Sequence, residues 1–119
     1  MKFMSFTIQL RDEKAMQEYK KYHLNVWPEI IGSGGALEVI GVLKMRIFFI
    51  KPLTLFMYIE ATDAFDPVKD FSRAVSLDPR VQEWDDIMHN QLLVRIKEND
   101  GPLNWALMEN VFSYERAEL

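Results

Sequence analysis

The sequence of 119 residues contains no cysteine, which excludes disulfide bonds, thiolate chemistry and cysteine-based zinc sites. It has no apolar stretch near the roughly 18 residues that a membrane-spanning helix needs. Its formal net charge is -4 and it has no run of basic residues, which argues against nucleic acid as a partner. The first residues lead directly into a strand pattern without the architecture of a signal peptide. We therefore expect a cytoplasmic protein that binds neither membranes nor nucleic acid.

The residues that are present are typical of one globular domain. Hydrophobic residues make up 49% of the chain, which is enough to build a core at this length. The sequence shows no internal repeat and no low-complexity segment. We therefore treat residues 1–119 as a single domain.

Four strands are predicted, at residues 3–10, 42–50, 55–60 and 104–114. Residues 3–10 alternate between apolar and polar, and residues 42–50 and 55–60 are rich in β-branched and aromatic side chains. Helices are predicted after Asp12, Asp66 and Asp78, each of which can cap a helix, and from Pro28, which suits a first helical turn. The glycine cluster at residues 32–35 interrupts the helix that begins at Pro28. It lacks the Lys-Ser/Thr of a phosphate-binding loop, so we interpret it as a flexible bend.

The order of these elements, β-α-α-β-β-α-α-β, predicts an α+β fold. It is close to the ferredoxin-like plan, a four-stranded antiparallel sheet with helices on one face. The sheet face without helices is usually closed by a second subunit or frames a pocket. We therefore expect a homodimer of the dimeric α/β barrel type.

The most informative stretch runs from Tyr19 to Glu29. Residues four apart on a helix share a face, so Tyr19 and His23 should project together, with Trp27 one turn further if the helix persists. Such an aromatic face more often lines a core than an active site. Histidine, however, changes charge near neutral pH, and beside a phenol it can donate a proton to a small polyhydroxy ligand.

A second candidate group lies in the helix after Asp78. The indole of Trp84 can stack on the C–H face of a sugar, and the carboxylate of Asp85 can accept hydrogen bonds from neighbouring hydroxyls. The alternative is a core tryptophan followed by a solvated acidic pair. His89 follows in the same helix, and we interpret it as a surface histidine. A metal site would need a second ligand close to it, and the sequence shows none at a matching spacing. We predict no metal site.

The sequence has no nucleophile elbow, no His-Glu-x-x-His and no dinucleotide-binding fingerprint. The chemistry that remains is proton transfer combined with aromatic and carboxylate binding. Interconversion of the anomers of a reducing sugar requires only these, because one proton leaves the anomeric hydroxyl and another reaches the ring oxygen as the ring opens.

The segment from Tyr19 to Glu29 resembles the signature of the L-rhamnose mutarotases, Tyr-x-x-x-His-x-x-x-Trp-Pro-Glu. The resemblance covers nearly the whole chain. It continues through residues 55–60, then through Val81 to Trp84 with Met88 beyond, and ends in the strand at residues 111–112. It implies a dimer of ferredoxin-like subunits that interconverts the anomers of L-rhamnose without a cofactor.

By this resemblance, His23 matches the proton donor, Tyr19 a sugar-binding residue and Trp84 the first residue of a tryptophan pair. The second residue of that pair is Asp85 here, and a sugar-binding tyrosine corresponds to Met45. We therefore expect the acid chemistry to be retained and the walls of the sugar site to be altered. The expected substrate is L-rhamnose or a related hexose such as L-fucose.

Two other functions remain open at this stage. Loss of the family's tyrosine and second tryptophan favours a non-catalytic sugar-binding protein of the same fold. A small dimeric α/β-barrel oxygenase acting on an aromatic substrate is permitted by the fold alone, although the Trp-Pro-Glu motif gives it no support.

Overall fold

The strand β1, Lys2–Leu10, lies inside an antiparallel sheet in the computed structural model, which describes residues 1–117. Alternate side chains of β1 point to opposite faces, and those of Phe6 and Ile8 are fully buried on one of them. One edge of β1 pairs with β3, Thr54–Ala61, which pairs in turn with β2, Val42–Ile50.

The opposite edge of β1 is shared by two short strands. β4, Leu93–Val94, pairs with the end of β1, and β5, Ala106–Met108, pairs with its middle. The sheet order β2-β3-β1-β4 is that of the ferredoxin-like plan.

Five helices lie in the connections between the strands. They are α1 (Glu13–His23), α2 (Pro28–Ile31), α3 (Ala36–Val39), α4 (Pro67–Val75) and α5 (Pro79–Ile87), and α5 continues into a π-helical turn, Met88–Leu92. The predicted caps are confirmed: carboxylates of Asp12, Asp66 and Asp78 accept hydrogen bonds from backbone N–H groups in the first turns of α1, α4 and α5. No helix within residues 1–117 is long and apolar enough to cross a membrane.

The core lies between the helices and one face of the sheet. One cluster of buried side chains surrounds Phe6, Ile59 and Phe65, and a second surrounds Ile8 and Leu92. Trp84 and Trp105 are partly buried and pack against both clusters. These two indoles therefore lie where the two halves of the core meet.

The predicted fold class is confirmed: an antiparallel sheet carries helices on one face. The glycine cluster interrupts the helices as expected, and Gly34 has a φ of 74° that favours glycine.

The predicted last strand, residues 104–114, is wrong in length because only Ala106–Met108 pair with β1. Residues 109–117 are exposed and pair with no strand of the described chain. β4 was missed, because two residues are too few to show an alternating pattern.

Candidate active site

A cavity of about 400 Å³ lies between the helices and the buried face of the sheet. Tyr19 and His23 enter it from α1, Trp84 and Asp85 from α5, and Met45 from β2. The structure therefore brings these five residues to one cavity, whereas Trp27 is not among the residues that line it. Its volume is within the range typical of small-molecule sites.

Apolar side chains of the sheet form the floor of this cavity: Phe6, Met45, Ile47 and Met57. Leu103, Asn104 and Trp105 line another part of the wall. The side chain of Asn99 holds their loop in place. Its Nδ2 donates hydrogen bonds to the carbonyls of Leu103 (2.8 Å) and Asn104 (3.0 Å).

Sequence reasoning missed the contribution of this loop, since it placed residue 104 at the start of a strand. A tryptophan close to a loop containing Asn-Asp-Gly-Pro was the available signal, but it does not define where the loop packs. The position of the loop depends on side chain–backbone hydrogen bonds that no hydrophobic pattern reports.

The rings of Tyr19 and His23 stack as the helical spacing predicted, with centroids 4.0 Å apart and planes inclined by 25°. Nδ1 of His23 donates a hydrogen bond to the backbone carbonyl of Tyr19 at 2.8 Å. A carbonyl can only accept, so the neutral ring carries its proton on Nδ1. Nε2 is then the basic atom of the imidazole and has no hydrogen-bond partner within residues 1–117.

Burial lowers the pKa of the His23 imidazole, and the hydrogen bond to the Tyr19 carbonyl partly offsets this effect. The ring is therefore mostly neutral at pH 7. A neutral imidazole with a free Nε2 can take a proton from a hydroxyl group and return it.

The phenol of Tyr19 is buried, and burial raises its pKa well above the ordinary value. Its hydroxyl makes no hydrogen bond to another residue of the described chain, and it is not among the fully buried polar atoms. The residue lines the cavity, so the hydroxyl can be reached by a ligand there. It remains protonated and is available to donate a hydrogen bond to a ligand.

Trp84 holds the aromatic wall together through edge-to-face contacts. Its ring lies 5.3 Å from His23, 5.1 Å from Trp27 and 5.7 Å from Tyr22, measured between centroids. The guanidinium of Arg80 stacks 3.7 Å above Trp27. Contacts of this kind fix the orientation of the rings and therefore the shape of the cavity.

The structure overturns the prediction that His89 lies on the surface. Its side chain is 19% exposed and lines the cavity, with Nε2 3.7 Å from Oδ1 of Asp85. The spacing of four residues was the signal that could have identified the pair. Burial raises the pKa of Asp85 and lowers that of His89, while the charge of each partner opposes the shift.

A second cavity of about 390 Å³ lies beside the glycine cluster and is lined by Glu29, Ser33 and Asp78 together with apolar groups. It contains no histidine and no aromatic ring, the residue types on which the predicted site depends. Within residues 1–117, no three His, Cys, Asp or Glu side chains lie close enough together to hold a metal ion. We therefore locate the candidate site in the first cavity.

The fold and the site define a small α+β protein with an aromatic cavity that is lined by two histidines. The chain belongs to the L-rhamnose mutarotase family, whose family model matches residues 4–114. It is 40% identical over 108 residues to a UPF0734 protein from Dictyostelium discoideum, covering 89% of this chain and 83% of that one.

The fold is also similar to that of a crystal structure of an L-rhamnose mutarotase from Formosa agariphila. The two structures match with a TM-score of 0.67 over 97% of this chain and all of the other, at 22% sequence identity. This similarity supports the fold independently of the sequence motif.

Proposed function

We propose that the protein is a mutarotase that interconverts the α and β anomers of L-rhamnose or a related hexose such as L-fucose, without a cofactor. The observation that carries the proposal is the free Nε2 of His23 in the cavity. Its partner atom Nδ1 is fixed by the Tyr19 carbonyl, so the ring presents one basic atom to a ligand. Family membership supports the same reaction.

In this mechanism, Nε2 of His23 accepts the proton of the anomeric hydroxyl. The bond between C1 and the ring oxygen breaks, a carbonyl forms at C1, and the ring oxygen takes up a proton. Rotation about C1–C2 and the reverse steps close the ring on its other face. No atom is gained or lost, and general acid–base groups of this kind typically contribute about 10²- to 10⁴-fold each.

The remaining groups of the cavity would hold the sugar. The Tyr19 hydroxyl donates a hydrogen bond to a sugar hydroxyl, the Trp84 ring packs on the C–H face, and Asp85 accepts from hydroxyls. The apolar floor around Met45 suits the methyl group of a 6-deoxyhexose, which is why we favour L-rhamnose and L-fucose over fully hydroxylated hexoses.

The test is anomer exchange measured by saturation-transfer NMR on L-rhamnose, L-fucose and D-glucose. We expect the wild type to accelerate exchange and His23→Gln to lose most of that acceleration. Lys21→Gln, an exposed change on the same helix, is the matched control and should keep the wild-type rate. No acceleration of any sugar by the wild type, or full activity of His23→Gln, would overturn the proposal.

The second candidate function is a sugar-binding protein without catalysis. It is favoured by Met45 and Asp85, which replace two aromatic residues of the family pattern and reduce the area available for stacking. Calorimetric binding of L-rhamnose without faster anomer exchange would establish this alternative. The absence of a cofactor and the cytoplasmic location stay predictions; dialysis against a chelator should leave the exchange rate unchanged.

We also infer a homodimer formed through the outer face of the sheet. Phe48 and Ile50 are each 57% exposed on this face, and the extended segment after β5 exposes Val111 and Phe112 at 84% and 80%. A monomer seldom leaves so much apolar surface in contact with water. A second copy supplies a matching apolar face about a twofold axis.

Sedimentation velocity should therefore show a dimer for the wild type and a monomer for Phe48→Lys. Leu24→Lys changes an apolar residue that is even more exposed and lies away from the sheet, and it should remain dimeric. A monomeric wild type at micromolar concentration would contradict the inference.

A further inference from the structure

We propose that Asp85 and His89 form a second proton-transfer group, in which His89 exchanges a proton with the ring oxygen of the sugar while His23 exchanges one with the anomeric hydroxyl. This inference rests on the proposed function and goes beyond it, because ring opening moves a proton at each of two oxygens and that function assigns one group, His23. Asp85 acts as the positioning residue of the pair.

The first support is the location of the pair. The titratable side chains lining the cavity are Tyr19 and His23 from α1, Asp85 from α5 and His89 from the π-helical turn. Tyr19 stays protonated throughout the physiological range because its pKa is raised. His89 is therefore the lining group, apart from His23, that can exchange a proton with a ligand near neutral pH.

The second support is the distance between the partners. Nε2 of His89 and Oδ1 of Asp85 are 3.7 Å apart, which is within ion-pair range but too long for a direct hydrogen bond. Neither Asp85 nor His89 makes a hydrogen bond to any other side chain of residues 1–117. Both therefore keep hydrogen-bonding capacity for a sugar hydroxyl placed beside them.

The third support is that each histidine has a partner that opposes the effect of burial. Burial lowers the pKa of both imidazoles; the charge of Asp85 opposes this effect at His89, and the hydrogen bond to the Tyr19 carbonyl opposes it at His23. Both rings can therefore exchange a proton with a ligand. Ring opening moves one proton from the sugar to one imidazole and one proton from the other imidazole to the sugar, so the charges balance.

Two proton-transfer groups make the exchange rate depend on pH through the protonation state of each. Each limb of the pH profile then reports the titration of one of the two groups. His89→Gln should lower the rate by about 10- to 100-fold and remove the limb that belongs to His89. Asp85→Asn removes the charge that favours protonated His89, so this limb should move to lower pH.

The matched control is Glu83→Gln. Glu83 lies on the same helix, is exposed, pairs with Arg80 and does not line the cavity. Its variant should keep the rate and the shape of the pH profile. Circular dichroism and thermal unfolding of each variant check that the fold is intact.

Because the sequence contains two histidines, the imidazole NMR spectrum provides a second readout that is independent of rate. His23→Gln and His89→Gln assign the two ring systems. Adding L-rhamnose, or L-fucose if it is turned over faster, should shift the ring signals of His89 as well as those of His23. A sugar that shifts the His23 signals but not those of His89 would overturn the inference.

The two proposals fail in different ways. An active wild type, an inactive His23→Gln and an unchanged profile in both Asp85→Asn and His89→Gln would refute the second proton-transfer group and leave the mutarotase standing. A wild type that accelerates no sugar would refute both.

Discussion

Replacing Tyr19 by phenylalanine removes one oxygen atom and tests the sugar site directly. The ring would keep its stacking on His23, where the centroids are 4.0 Å apart, and its buried position in α1. The hydroxyl has no hydrogen-bond partner within residues 1–117, so the protein loses no internal bond. We expect the free energy of unfolding to change by less than about 0.5 kcal/mol.

The effect on sugar binding follows from the one hydrogen bond that the hydroxyl would donate. A neutral hydrogen bond contributes about 0.5–1.5 kcal/mol, which corresponds to a rise in KM of about 2- to 13-fold. The exchange rate at saturating sugar should change little, because His23 and its tautomer are untouched. Tyr19→Ala is a poor substitute, since loss of a buried aromatic ring costs about 3–5 kcal/mol of stability.

The assay is saturation-transfer NMR at increasing sugar concentration, with urea unfolding of the same samples. Tyr22→Phe is the matched control: Tyr22 lies on the same helix and contacts Trp84 by its edge, but does not line the cavity. It should keep the wild-type KM. Equal KM values for Tyr19→Phe and the wild type would refute a role of the hydroxyl in binding.

Three further outcomes are expected. Burial lowers the pKa of His23 from 6.5, so the unfolded chain binds a proton more readily than the folded chain. Urea unfolding should therefore show that the free energy of unfolding falls as the pH drops below about 6.5. This fall should be less steep in His23→Gln. Gly41→Ala should lower the free energy of unfolding by more than the roughly 1 kcal/mol expected for Gly34→Ala, as measured by urea unfolding. Both glycines have a positive φ, but only a Cβ at Gly41 would meet a neighbour, the Thr62 hydroxyl at 2.6 Å. Met45→Tyr should raise the exchange rate with L-rhamnose relative to L-fucose, measured by the same NMR assay, because it restores the tyrosine of the family pattern.

The parts of the site that could be predicted are those set by local rules. Helical spacing was enough to stack Tyr19 on His23, and aspartate followed by proline was enough to place the starts of α4 and α5. Alternation identified β1, and β-branched and aromatic content identified β2 and β3, which together gave the fold. Each of these signals is contained in a few consecutive residues.

The parts that were missed depend on contacts between distant segments. Trp105 lines the cavity in a loop that is held by the hydrogen bonds of Asn99. Val111 and Phe112 have high β propensity but do not extend β5, because no neighbouring strand of the described chain pairs with them. His89 enters the cavity at the point where α5 widens into a π-helical turn. Hydrophobic periodicity carries no information about any of these events.

In the proposed mechanism, Asp85, which stands in place of the second tryptophan of the family pattern, serves both sugar recognition and proton transfer. An indole would add stacking area, whereas a carboxylate adds a hydrogen-bond acceptor and a charge 3.7 Å from His89. The aspartate gives up apolar contact with the sugar, and its charge favours the protonated form of His89 against the effect of burial. The residue would therefore contribute more to proton transfer than to binding.

Asp85→Trp separates the effect of this residue on sugar binding from its effect on proton transfer. We expect tighter sugar binding, with KM lowered by several-fold through the added stacking, and a lower exchange rate at saturation because the pKa of His89 falls when the carboxylate is removed. Asp85→Asn, which adds no stacking area, should lower the rate without lowering KM. If Asp85→Trp raised both affinity and the saturated rate, the carboxylate would have no part in proton transfer, and the aspartate would have to be explained by the choice of sugar alone.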